Sequence, residues 1–465
     1  MNLQTPTVGP ILGHTTPSQA RLFLRGEAEP KGEGLNRCFA VVRYRPATSD
    51  QWSAPLYNKM SPNFDVTAVI VLEGLTADTE YRYQAAWFYA EQELEEVRLT
   101  PAESLQWLPA EYTLRTATSD TTKPRSYMVG SCRYMLRLFD ENFFDDRGDK
   151  PFRAIIDQLA TQPVHGLMMV GDQIYADDLN LVLPDNTALK YLKRYRAAFS
   201  QPNIREAMAQ IPSYMVLDDH EIEDNWPAKA TDKNRITLYP NAMAAYQIYQ
   251  CSHSPLYETT TEGRITGTLE KYWYCFSDGC ADWFVMDVRT ERQPGARKMI
   301  EDEQMEALLS WLGDGSGKVK LVVSSVMFFP DMKSDGGDTW KSFAEQRLVI
   351  LERIRTLKLK KVAFISGDVH CSMTSRLTCS ADPAFSVISV VSSSFFWPLP
   401  HFKASGFQLD QQLAEATDAS YSSSQLTPVH STDNFARLDV SPQGLGVTYY
   451  DRKGTVLGES IKLDW

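Results

Sequence analysis

The residues of this chain best suited to chemistry follow short apolar runs. Tyr127-Met128-Val129 leads into Gly130-Ser131-Cys132-Arg133, and Leu167-Met168-Met169-Val170 into Gly171-Asp172-Gln173-Ile174-Tyr175. Tyr214-Met215-Val216-Leu217 runs into Asp218-Asp219-His220-Glu221, with Asn225-Trp226 just beyond. Asp287-Val288-Arg289 follows Trp283-Phe284-Val285-Met286, and Ser366-Gly367-Asp368-Val369-His370 follows Val362-Ala363-Phe364-Ile365. Carboxylates crowded together repel one another unless cations sit between them. Carboxylate, carboxamide, imidazole, thiolate and phenolate are all competent metal ligands, and the set offers each. A thiolate beside a phenolate favours a high-valent iron or zinc, whereas an oxygen-rich second position suits calcium, magnesium or manganese. The i, i+2 spacing of Asp368 and His370 lets both side chains leave an extended segment in the same direction. Each motif alone is weaker. Gly171-Asp172 is a common turn, a lone Cys132 is more often a small core residue, and Asp218-Asp219-His220-Glu221 could cap a helix. Together they point to a metal site.

Sites of this kind form at the carboxyl ends of strands in open α/β sheets. Continuous apolar runs suit strands buried on both faces, and helical spacing between them at 152–159, 189–199, 303–312 and 343–357 makes residues 119–465 an α/β layered domain. Residues 1–118 read differently. Ala20-Arg21-Leu22-Phe23-Leu24-Arg25, Phe39-Ala40-Val41-Val42-Arg43-Tyr44 and Val66-Thr67-Ala68-Val69-Ile70-Val71-Leu72 are short strands between turn residues, the pattern of a β-sandwich. Leu75-Thr76-Ala77-Asp78-Thr79-Glu80-Tyr81 resembles the tyrosine corner of a fibronectin-like module. A polar linker crosses 117–124. The tail, 436–440 and 445–450, returns to strands that should close a sheet.

Bulk properties narrow the partners. A chain of 465 residues suits two domains, and 43% hydrophobic with 23% charged residues is a globular composition. The net charge of −12 argues against general nucleic-acid or anionic-membrane binding. It leaves an anionic substrate open, because bound metals supply local positive charge. The start carries no basic segment followed by an apolar run, and no run is long enough to span a bilayer, so a cytoplasmic location is expected. Seven cysteines at irregular spacing, with no Cys-x-x-Cys, fit a reducing compartment better than a disulfide framework. Gly313-Asp314-Gly315-Ser316-Gly317-Lys318 resembles a phosphate loop, but Val319 replaces the Ser or Thr that holds magnesium, so a turn is expected. His14, His165, His253, His401 and His430 lie outside the strand-end set, and 395–400 could line a pocket, with core packing as the default reading.

In order, the Ser131-Cys132, Gly171-Asp172-x-x-Tyr175, Asp218-Asp219-His220-Glu221 with Asn225-Trp226, and Ser366-Gly367-Asp368-Val369-His370 motifs resemble the PhoD-like alkaline phosphatase (alkaline phosphatase D) family. That family belongs to the calcineurin-like metallophosphoesterases, and the resemblance covers nearly the whole chain. It implies a four-layer αββα metallophosphoesterase domain behind an all-β fibronectin-like sandwich. It also implies two metals: iron (or zinc or manganese) on Cys132, Asp172 and Tyr175, and calcium (or magnesium or manganese) bridged by Asp172. The second metal would be helped by Asn225, Asp368 and His370, with Asp219 and Asn225 as alternatives or partners in one duty. His220 matches the superfamily's catalytic His, and Arg289 and Arg133 would bind phosphate. The expected activity is hydrolysis of a small phosphomonoester or phosphodiester, by in-line attack of hydroxide held between the metals. The rival is a metal-binding relative that has lost turnover and only binds a ligand. Two departures stand out. Secreted members carry a twin-arginine leader that this chain does not display, and Gln173 and Ala176 replace common aromatic and acidic neighbours of the Asp-x-x-Tyr motif.

Overall fold

Strand Arg125–Gly130 buries every residue from Tyr127 to Gly130, so its sheet must be covered on both faces. The structure, a computed structural model, describes residues 1–28, 36–138, 142–143, 145–180 and 184–465. It is a mixed α/β fold with several sheets. The first large sheet has six strands in the order Ser213–Met215, Gly166–Met169, Arg125–Gly130, Asn434–Val440, Gly444–Asp451 and Ile461–Asp464. The first three run parallel, and the tail adds the other three antiparallel. The second has eight strands. Its parallel centre is Ala281–Val285, Val319–Ser324, Val362–Ser366 and Asp382–Val391.

The pleat explains the unbroken apolar runs. Val129, Met168 and Val216 share one cluster with Trp283, Leu321 and Ile365, so the two sheets face each other. The alternate residues Met128, Leu167 and Met169 pack on Phe152 and Ile155 of helix Lys150–Leu159 and on Tyr191 and Tyr195 of helix Ala188–Phe199. On the other side, Phe284, Val322 and Phe364 pack on Leu308 of helix Asp302–Leu312 and on Ile350 and Ile354 of helix Ala344–Thr356. Side chains of opposite parity thus feed different cores. Helices Pro202–Gln210 and Asp232–Tyr246 were not anticipated; the second carries Pro240 inside it, which reads as a breaker in sequence. Thr231 starts it, accepting from the Asn234 N–H.

The first part of the chain forms a three-stranded sheet, Val8–Thr15, Ala20–Arg25 and Thr67–Leu72, and a four-stranded one, Leu56–Met60, Arg37–Pro46, Glu80–Ala90 and Tyr112–Arg115. Leu22, Leu24 and Ile70 meet Ala40, Val42 and Trp87 in a common core. The Tyr81 hydroxyl accepts from the Thr76 N–H at 2.9 Å, closing the corner read from sequence. The opposite face is not solvated: Ile11, Phe23 and Val69 join Phe199 and Tyr249 in the helical core. No helix among the described residues is long and apolar enough to cross a membrane.

Asp65 ties the two regions together. Its buried carboxylate accepts from Arg25 Nε at 3.1 Å, from Arg196 Nε at 2.7 Å and from the Tyr249 hydroxyl. Burial pushes this carboxyl up, but bonds from Arg196 and Tyr249 and the Arg25 charge outweigh it and leave it below its ordinary 3.8. A depressed pKa contributes stability that is complete above the unfolded value and lost as pH falls through the folded one. Asp65→Asn is therefore expected to lower stability by about 2 kcal/mol at neutral pH. The gap between the urea midpoints of variant and parent should narrow as pH falls below the ordinary carboxylate value. A gap that stays constant over the acid range would refute the assignment.

Candidate metal centre

The strands named above deliver their polar ends to one place. Cys132 lies two residues beyond Arg125–Gly130, and Asp172 three beyond Gly166–Met169. Asp218 and Asp219 follow Ser213–Met215, and Asp368 and His370 follow Val362–Ser366. Close stacking of these loops requires glycine. A Cβ on Gly171, at φ +87°, would lie 2.5 Å from Asp218 Cβ, and one on Gly367 would lie 2.5 Å from Ser131 Oγ.

The backbone is strained where the candidate ligands sit. Cys132 (φ 55°), Asp172 (56°), Asn225 (58°), Asp368 (67°) and His370 (48°) are all left-handed. Each such residue costs roughly 1–2 kcal/mol unless its side chain bonds locally, and strain of this kind clusters at functional sites. The finding corrects one expectation. Asp368 and His370 do not project from an extended segment; paired left-handed turns bring them to the centre.

Cys132 Sγ, an Asp172 carboxylate oxygen and a His370 ring nitrogen lie within 4.8 Å of one another. So do oxygens of Asp172, Asp218, Asp219 and Asp368, and likewise ligand atoms of Asp172, Asp219 and His220. Asp172 is common to all three groups. The Tyr175 hydroxyl donates to Asp172 Oδ2 at 3.1 Å and lies 3.5 Å from His370 Nε2. Asn225 lines the same cleft, and its N–H donates to Asp219 Oδ2 at 2.5 Å. The candidate ligands read from sequence are therefore brought together. Asp218 joins them, although sequence had marked only its neighbour Asp219.

Metal ions fit this donor set. The buried oxygens Asp172 Oδ1 and Asp218 Oδ2 have no hydrogen-bond donor, and Asp219 Oδ1 has only the Arg289 charge 3.2 Å away without bond geometry. A buried carboxylate oxygen without a donor or cation is costly. Burial, with the crowding of Asp218 and Asp219, pushes Asp172 and Asp368 well above the carboxylate range. Burial and then Asp172 raise the Cys132 thiol and the Tyr175 phenol likewise. These groups hold their protons unless cations replace them, so metal binding would release protons. Burial, then His220 and His401, push His370 down into its neutral, ligand-competent form.

The surrounding residues hold this cluster. Glu221, raised to about 8 by burial and then by Asp218, accepts from the Asp172 N–H (3.2 Å), the Gln173 N–H (2.6 Å) and the Asp218 N–H (2.9 Å). His220 Nδ1 sits 2.9 Å from Asp177 Oδ2, and its ring lies 4.3 Å from that of Tyr175. Burial opposes protonation of His220, but Asp219, Asp172 and Asp177 carry its pKa well above the ordinary value. Asp177 escaped the sequence reading, although it lies only two residues past Tyr175. Both readings of the 395–400 segment hold in part: Phe395 and Phe396 are core, whereas Trp397 stacks on His370 at 3.6 Å and 11° and lines the cleft, which measures about 400 Å³. His401 stands nearby, bonded to the His370 carbonyl at 2.8 Å.

Neither arginine is presented to a substrate. Arg289 is wholly buried, its Nε on Asp218 (2.5 Å), Nη1 on Asp338 (2.6 Å) and the Trp226 carbonyl (3.1 Å), and Nη2 on Asp338 (3.1 Å). With its donors engaged it cannot clamp phosphate. Arg133 points away into the helical layer, where it donates to the Ala198 carbonyl at 2.8 Å and lies over Phe152 and Phe199. The Gly313–Lys318 stretch is a turn, in which Asp314 accepts from the Ser316 N–H at 2.9 Å.

Known proteins resemble this chain in sequence and in fold. The family model for PhoD-like phosphatases matches residues 145–443, which leaves Cys132 outside the matched span. Alkaline phosphatase D of Bacillus subtilis (strain 168) is 25% identical over 215 residues, 41% of this chain and 36% of that protein. The match thus spans little more than a third of that relative's length. A solved structure of PhoD superposes with a TM-score of 0.70 at 15% identity, covering 99% of this chain and 92% of the other, which shows a shared fold.

Proposed function

The chain belongs to the PhoD-like phosphatase family, and on that premise we propose that it is a metal-dependent phosphoric ester hydrolase acting on small phosphomonoesters or phosphodiesters. The observation that carries this reading is the set of buried carboxylate oxygens without donors gathered around Asp172. Cys132, Asp172 and Tyr175 would hold the first metal, of iron type; His370, expected at the second, would join them because its ring nitrogen lies within 4.8 Å of Cys132 Sγ and an Asp172 oxygen. Asp172, Asp219, Asn225 and Asp368, with Asp218 beside them, would hold the second, of calcium type. Two such ions would supply Lewis-acid charge to the phosphoryl oxygens and acidify a water for in-line attack.

The chain's own residues do the rest. Glu221 fixes the loops that carry Asp172 and Asp218. Arg289 offsets the acidic charge behind the metals and takes no part in phosphate contact. Once the ligand carboxylates are engaged by cations, Asp177 is the anion left to keep a proton on His220. His220 borders the cleft and donates that proton to the leaving oxygen as the P–O ester bond breaks and water's oxygen joins phosphorus. An alcohol and a phosphate, or a monoester from a diester, are the products.

The same premise extends to architecture. Residues 119–465 would form a four-layer αββα unit, and residues 1–118 a fibronectin-like sandwich that buttresses it. The three clusters divided by strand parity support the layering, and the Tyr81 corner supports the sandwich, whose outer face shares the helical core of the larger unit. The function is tested by metal analysis together with hydrolysis of p-nitrophenyl phosphate and its bis-ester. Two metals per chain and turnover of at least one ester are expected. No turnover of any phosphoester by protein loaded with two metals would favour a ligand-binding role instead.

A further inference from the structure

Among the described residues that line the cleft, the basic side chains are the His220 and His370 imidazoles at its catalytic end. None of them is Lys or Arg; Asp335 stands at the border beside the metal-site acids, and Asp224 does so paired with Lys229 at 2.9 Å. The Asp335 carboxylate accepts only from neutral donors, the Gly337 and Thr339 N–H groups and the Thr339 and Ser342 hydroxyls. A second phosphate group seated against Asp335 would therefore meet like charge.

The remaining wall is apolar. Leu179, Met332, Trp397, Leu399 and Phe402 all line it. Leu399 is 48% exposed and Phe402 44%, a large apolar surface left in water. Yet the segment is pinned. The Trp397 N–H donates to Asp433 Oδ1 at 3.0 Å, and Ser431 Oγ donates to the Phe402 carbonyl at 2.6 Å. His401 bridges the His370 carbonyl at 2.8 Å and Asp433 at 3.3 Å. Asp433 is itself paired with Arg452 at 3.3 Å. Polar anchors thus hold an exposed apolar ledge against the imidazole of a candidate ligand.

We propose that this ledge seats the organic substituent of the substrate, and that the enzyme selects phosphoesters with an apolar or aromatic group beside the phosphoryl and no second phosphate. The proposal rests on the phosphoesterase reading above. It names Trp397, Leu399 and Phe402 as specificity determinants through burial of that group, which discriminates by about tenfold or more.

The test uses the full chain loaded with metal and two diesters with the same leaving group, methyl and phenyl p-nitrophenyl phosphate. Each kcat/KM is divided by the rate of hydroxide hydrolysis of that ester. The phenyl ester should lead by about tenfold. In the Leu399→Ser, Phe402→Ser double variant that ratio should fall several-fold, with the thermal midpoint held because both residues are exposed. A wild-type ratio near one, or an unchanged ratio in the variant, overturns the proposal and leaves the phosphoesterase reading intact. Absence of turnover on both esters overturns both. In a second comparison, thymidine 5′-(p-nitrophenyl phosphate) should be cleaved about tenfold faster than the same ester carrying a 3′-phosphate; equal rates would remove the charge selection.

Discussion

Cys132→Ser will strip metal and activity together. The sulfur is wholly buried, and the Ser131 and Ser393 hydroxyls lie 3.2 and 3.1 Å from it. Those hydroxyls can donate to a thiolate, which is the ligand form. Serine fits the same space, so the fold should persist, but its hydroxyl does not ionise to match a thiolate. Loss of a partner outside the ligand shell costs about 10–100-fold in metal affinity or activity, so loss of a ligand should exceed about 100-fold. Elemental analysis beside kcat/KM separates three roles. A ligand loses both metal and turnover. A nucleophile would lose turnover and keep its metal. A plain core residue would keep both. Full metal occupancy in the variant would end the ligand assignment.

Arg289→Met should act on stability first. The substitution leaves the buried carboxylates of Asp218, Asp219 and Asp338 without the guanidinium that faces all three. Removing one member of a buried ion pair costs roughly 3–5 kcal/mol, because the partner stays charged and dry. Asp338 would keep Arg292, which limits the damage on that side. Urea denaturation should show the loss in the metal-free protein as well as in the loaded one. Arg289→Lys should recover little, because one ammonium cannot span the directions served by a planar fork. A variant of unchanged stability with a raised KM would restore the phosphate-binding role expected from sequence.

Much of the centre was legible in the linear chain. Apolar runs that stop at Gly130, Gly171 and Gly367 marked buried strands and their ends, and the polar residues beyond them marked the ligands. That inference needs only the rule that a strand covered on both faces is apolar throughout, and that its carboxyl end opens onto a site. The tyrosine corner at Tyr81 and helix Lys150–Leu159 were legible for the same local reasons.

Other features depend on neighbours distant in sequence. Asp218 and Asp219 are adjacent carboxylates in the chain; three-dimensional placement puts Arg289 and Ser325 on Asp218 and leaves its second oxygen bare. Arg289 itself follows a strand end as a phosphate clamp would, and only its enclosure by Asp218, Asp219 and Asp338 turns it inward. The apolar composition around Phe395 and Trp397 suits a core, but pinning by Asp433 and Ser431 leaves Trp397 on the cleft. Sequence alone determined which residue types stand at the strand ends, since burial pattern and spacing are local properties. Tertiary structure alone decided which of them face one another, because pairing charges and exposing a wall are set by contacts between residues 29 to 261 positions apart.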